Sequence, residues 1–82
     1  MDVSILGLMT TVKMLVENHN RHSRKFILTG SDYELGAKTA ALEAISYLTA
    51  DLNLVVEFGT EYTENEFGYT IITVKTRTEN EV

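Results

Sequence analysis

Glu57, Glu61, Glu64 and Glu66 crowd into one short stretch near the carboxyl end of this 82-residue chain. Carboxylates at such spacing can hold a cation, share acid–base work, or present a negative field to a basic partner. A calcium cage needs several oxygens converging from one tight loop, and the EF-hand spacing is absent. Acid–base work needs a carboxyl held in a pocket, and a wet hairpin tip offers none. Docking is the chemistry left. Glu57, Glu61, Glu64 and Glu66, with Tyr62 among them, form the candidate partner-binding set. The plainer alternative is that these charges keep an exposed strand edge soluble.

A second cluster, His19-Asn20-Arg21-His22-Ser23-Arg24-Lys25, is basic. His19 and His22 have the spacing of a metal pair, with Glu17 close by, but no third fixed ligand accompanies them, so no metal is expected. Arg21, Arg24 and Lys25 are candidate contacts for a small anion, or the basic half of a self-association surface that meets the acidic hairpin. The simpler reading is a solvated loop in which His19 finishes an apolar helix face. Thr29-Gly30-Ser31-Asp32 is a strand-turn-helix corner, yet it lacks the further glycines of a dinucleotide fingerprint and the Gly-Lys-Ser/Thr ending of a P-loop. Asp32 and Glu34 would repel a phosphate there.

Catalytic residues and cofactors are both read as none. The chain has no cysteine and no G-x-S-x-G, and neither histidine has a serine or carboxylate at a diagnostic position. Phe58, Tyr62, Phe67 and Tyr69 could stack bases, but RNA-binding sheets surround such aromatics with basic residues, and here the neighbours are glutamates. Core packing is the expected role of these rings.

Charge distribution sharpens the docking reading. The first 50 residues balance five acids against five bases, whereas residues 51–82 hold seven acids against Lys75 and Arg77, and so carry the whole net charge of −5. That field, with a pI near 4.8, disfavours direct binding to nucleic acid or anionic lipid. No apolar run approaches the roughly 18 residues of a membrane span. Met1-Asp2-Val3-Ser4 lacks the basic start of a signal peptide, and the cysteine-free composition permits a reducing compartment, so a cytoplasmic location is expected.

These groups must be positioned by a small fold. A chain of this size buries roughly 60% of its unfolded surface, enough for one modest core. Residues 3–19 read as a helix, with Ile5, Leu8, Met9, Val12, Leu15, Val16 and His19 on one face. Val3, Leu6 and Met14 project elsewhere as candidate oligomer contacts. Asn18–Ser23 reads as a polar loop, and Arg24–Thr29 alternates as a short strand ended by Gly30. Ser31-Asp32-Tyr33-Glu34 is a capping box that starts a second helix running to about Ala50. Its stripe is Tyr33, Ala37, Ala40, Ala41, Ala44, Ile45, Leu48 and Leu52. Residues 53–78 form a hairpin turning at Thr63-Glu64-Asn65-Glu66, in one of two registers that set Phe58 opposite Ile71 or opposite Ile72.

The expected fold is therefore a single α+β domain over residues 1–78, with a loose tail at 79–82. Its order is α-β-α-β-β, a three-stranded antiparallel sheet with two helices packed on one face. The expected function is a non-enzymatic protein-binding module that docks on a protein with a basic surface through the hairpin at 54–74. In general character (short, acidic, cysteine-free, α+β) the chain is similar to small inhibitors carried by phages and other mobile elements, though no motif assigns it to a family. The alternatives are a self-assembling homo-oligomer and a nucleic-acid accessory protein acting through residues 19–25.

Overall fold

The computed structural model describes the backbone of residues 3–77 and the side chains from residue 7 onward. The chain runs α1 (Val3–Thr29), α2 (Asp32–Leu52), β1 (Leu54–Tyr62), β2 (Gly68–Thr76). This order, α-α-β-β, overturns the expected α-β-α-β-β order and its three-stranded sheet: among the described residues the sheet has two antiparallel strands. The segment Arg24–Thr29 is the last part of α1, not a strand, and Asn18–Ser23 is helical, not a loop.

The physical reason lies in what that polar stretch lacks and what it meets. No glycine or proline interrupts it, and its residues cost a helix only a few tenths of a kcal/mol each, roughly, relative to alanine. His19 and Ser23 continue the spacing of Val12 and Val16 on one face, and both are buried with Val12. The first residue able to stop the helix is Gly30, which adopts a left-handed φ of 66°. Its N–H donates to the Phe26 carbonyl at 2.7 Å, an end that glycine makes without the steric cost of a Cβ.

Ser31 sits at the N-cap of α2 as expected, but its side chain makes no capping bond. The Leu35 N–H donates to the Ser31 carbonyl at 3.1 Å, and Glu34 bonds His22 of α1 instead of reaching back. The capping box is thus present as residues and absent as bonds. On α2, Ala41 and Ile45 are buried as the stripe requires, joined by Thr49, while Tyr33 lies in solvent. Asn53 ends the helix in the left-handed region, its N–H donating to the Thr49 carbonyl.

The hairpin takes the register that sets Phe58 opposite Ile72 and Tyr62 opposite Gly68. Thr63 and Phe67 close a loop of Glu64, Asn65 and Glu66, with the Thr63 N–H donating to the Phe67 carbonyl at 2.9 Å and the Glu66 N–H to the Thr63 carbonyl at 2.9 Å. Helix α1 lies along β2, and α2 packs mainly on α1. Val12, Ala41, Ile45, Leu54, Tyr69 and Ile72 make the core. No helix among the described residues is long and apolar enough to cross a membrane. The tail at 79–82 lies outside the described residues.

Candidate protein-binding hairpin

The hydrogen-bond phase of the hairpin sorts its backbone groups into two sets. In an antiparallel ladder, directly opposed residues alternately exchange bonds or turn their N–H and C=O outward. The Thr63–Phe67 bond and the 3.1 Å bond from the Arg77 N–H to the Asn53 carbonyl fix that alternation. Glu57, Gly59 and Glu61 therefore bond inward, while Val56, Phe58, Thr60 and Tyr62 of β1 turn outward, as do Thr70, Ile72 and Val74 of β2.

The outward groups of β2 meet α1. The Asn20 side chain lies against Ile72 as a strand would: Asn20 Nδ2 donates to the Ile72 carbonyl at 3.0 Å, and the Ile72 N–H donates to Asn20 Oδ1 at 2.8 Å. His19 Nδ1 lies 2.9 Å from the same oxygen. Because that oxygen already accepts from Ile72, His19 must carry its proton on Nδ1 and donate. His19 is thus a satisfied core residue. His22 goes elsewhere, with Nδ1 donating to Glu34 Oε2 and its ring edge-on to Tyr33 at 6.1 Å. Among the described residues no three His, Asp or Glu side chains converge as a metal would need.

The sequence-proposed basic residues sit on α1 instead of a loop. Arg21 donates to Asn18 Oδ1 at 2.9 Å, and Lys25 is exposed. Arg24 lies near the Tyr69 phenol, and Tyr69 donates to Glu61 Oε2 at 3.0 Å. Burial holds the Tyr69 phenol above its ordinary pKa, and Glu61 raises it further while Arg24 opposes the rise. Part of the basic cluster and part of the acidic hairpin therefore meet within one chain.

The glutamates divide accordingly. Glu57 lies 3.5 Å from the Lys75 ammonium with both side chains about half exposed, and Glu61 holds Tyr69. Glu64 and Glu66 stand exposed at the tip, and no described group bonds their carboxylates. The aromatic expectation is corrected: of the four rings only Tyr69 is buried, while Phe58, Tyr62 and Phe67 are 64%, 67% and 59% exposed. Helix α1 lies along β2, where Tyr69 and Ile72 are buried, while β1 is exposed from Glu57 to Tyr62, so Phe58 and Tyr62 on the outer strand and Phe67 in the loop stand away from the core. Of the candidate oligomer contacts, Met14 is 58% exposed, and the side chains of Val3 and Leu6 lie outside the described residues.

Sequence reasoning missed Asn20. The helical spacing of Val12, Val16, His19 and Ser23 was the signal that could have placed it on a helix beside a strand. An apolar groove of about 540 Å³ also opens between α1 and β2, walled by Met9, Val12, Val16 and Val74. No protein-family model matches this chain, and neither a curated protein nor a solved structure does.

Proposed function

We propose that this chain is a non-enzymatic protein-binding module whose hairpin is the docking element. One observation carries the reading: Phe58, Tyr62 and Phe67 stand more than half exposed on the hairpin, Tyr62 and Phe67 flanking the loop that carries the open carboxylates of Glu64 and Glu66. Exposed rings are the side chains that anchor protein interfaces, and a neighbouring charge sets partner choice and encounter rate. The fitting partner is a protein whose apolar cleft is rimmed by Lys and Arg. A nucleic-acid-handling protein has such a surface, and covering it would inhibit that protein. A cytoplasmic setting suits the cysteine-free composition.

The charge-only version of this reading loses weight. Glu57 and Glu61 spend their carboxylates on Lys75 and Tyr69, so the tip and the rings carry the contact. The test is capture of a partner from nuclease-treated lysate, followed by affinity measurement with the purified pair. Glu64→Gln with Glu66→Gln should weaken binding about tenfold, and Phe67→Ser at least as much, with the melting temperature within about 2 °C of the parent. Unchanged affinity in both variants would sink the reading.

A further inference from the structure

The two long edges of the hairpin are not equivalent. Asn20 occupies the outward groups of Ile72 on β2, with α1 lying along that strand. On β1 no described group bonds the outward N–H or C=O of Val56, Phe58, Thr60 or Tyr62, and Phe58, Thr60 and Tyr62 are exposed. Natural edges are blunted by proline, lysine, bulges or a covering element. The β1 sequence, Leu-Val-Val-Glu-Phe-Gly-Thr-Glu-Tyr, has neither proline nor lysine and pairs without a bulge, and its charges, Glu57 and Glu61, are turned onto Lys75 and Tyr69 of the same hairpin.

The geometry points to the β1 edge as a homodimer interface, in which β1 of two copies pairs antiparallel to make one continuous four-stranded sheet. The occupant follows from charge and register. Only registers that set outward residues against outward residues allow bonds, so the two-fold axis must pass through one residue of β1. An axis at Glu57 sets that carboxylate against its own copy. An axis at Gly59 opposes Glu57 to the partner's Glu61 twice over. Like charges directly opposite are destabilising.

An axis at Phe58 avoids both. It sets Glu57 against the partner's Gly59 and Glu61 against the partner's Val55, pairs the exposed Phe58 ring with its copy, and uses the whole of β1. An axis at Thr60 also avoids the clash but overlaps only the distal half of the strand. The same strand is therefore its own complement.

Closure follows from the blocked edge. Were β2 open as well, β1 of one copy could join β2 of the next and the sheet would grow without limit. With Asn20 on Ile72 and α1 lying along β2, contact between β1 edges is isologous and stops at two chains. The dimer takes Phe58 out of the docking surface, while Glu64, Glu66 and Phe67 stay at the two opposite tips and remain open to a partner.

The experiment is sedimentation of the full chain at micromolar concentration, joined to hydrogen exchange of its backbone amides. The expected mass is twice the 9.2 kDa of one chain, and the amides of Val56, Phe58 and Thr60 should be as protected as those of Glu57, Gly59 and Glu61. Thr60→Pro removes an outward N–H and none of the hairpin's own bonds, so it should halve the mass while circular dichroism keeps its shape. A single-chain mass overturns the proposal. So does a period-two alternation of protection along β1, which would leave its outward amides in water. Protection that appears only when a docking partner is added would assign the edge to that partner and equally overturn self-pairing. The register is read by oxidising single-cysteine variants: Phe58→Cys should cross-link and Thr60→Cys should not, and the reverse result overturns the Phe58 axis.

Discussion

The edges of β2 and β1 pose the same problem and meet it differently. Each strand turns alternate backbone groups away from its partner, and each such group costs free energy if it is removed from water without a bond. On β2 one primary amide supplies both a donor and an acceptor to Ile72, doing for one residue what a third strand does for many. On β1 no described group of the same chain bonds the outward N–H and C=O beside the exposed rings, and in the proposed dimer a second copy does. The difference teaches that a helix can close a sheet edge without lying across its face, provided one residue of the right length stands at the right turn. Asparagine fits because its amide has the same donor and acceptor as a peptide unit.

The comparison breaks most sharply at Asn20. Asn20→Ala leaves the N–H and C=O of Ile72, a fully buried residue, without partners, and removes the acceptor of His19. The expected loss is about 3 kcal/mol of unfolding free energy, read from urea denaturation. A loss under about 1 kcal/mol would mean that water replaces the amide and that the edge was never closed. The variant should also sediment as species larger than a dimer, because both edges are then free. A smaller change sharpens the contrast from the tip. Glu66 holds a left-handed φ of 66°, in the position of a three-residue hairpin loop where glycine is usual. Glu66→Gly should raise stability by about 1 kcal/mol without altering the mass, since it touches neither edge. A destabilised Glu66→Gly would show that the carboxylate is worth more than the strain.

Much of the hairpin was legible from residue types. Val55, Val56, Ile71, Ile72 and Val74 are strand formers, and Thr63–Glu66 reads as a turn because polar residues interrupt them. Ser31 was legible as the start of α2 for the same local reason. Its missing bonds were not, because His22, a residue of another helix, draws Glu34 away. The long reach of α1 was illegible on a related ground. Asn18–Ser23 looks like a solvated loop when polarity is taken as exposure, yet His19 is 2% exposed and Ser23 is buried outright. The partner that makes Asn20 acceptable there is Ile72, and nothing local announces it. At the candidate site the tip glutamates stand in solvent, as their charge suggests. Phe58, Tyr62 and Phe67 were read as core rings and are exposed instead, since an aromatic residue carries no mark of whether its strand is the one beside the helices or the outer one.

The span of the Asn20–Ile72 tie, 52 positions of chain, has a consequence for how the molecule assembles. The helices form one antiparallel pair across the short Gly30-Ser31 link, and the strands form another across their tight loop. Both are contacts between sequence neighbours, which form early because they close small loops. The amide clamp joins the two finished halves, so it belongs to the descending side of the folding barrier. Losing it should leave the folding rate nearly unchanged and speed unfolding by roughly a hundredfold. Asn20 would then govern how long the native state lasts and have little say in how quickly it is reached.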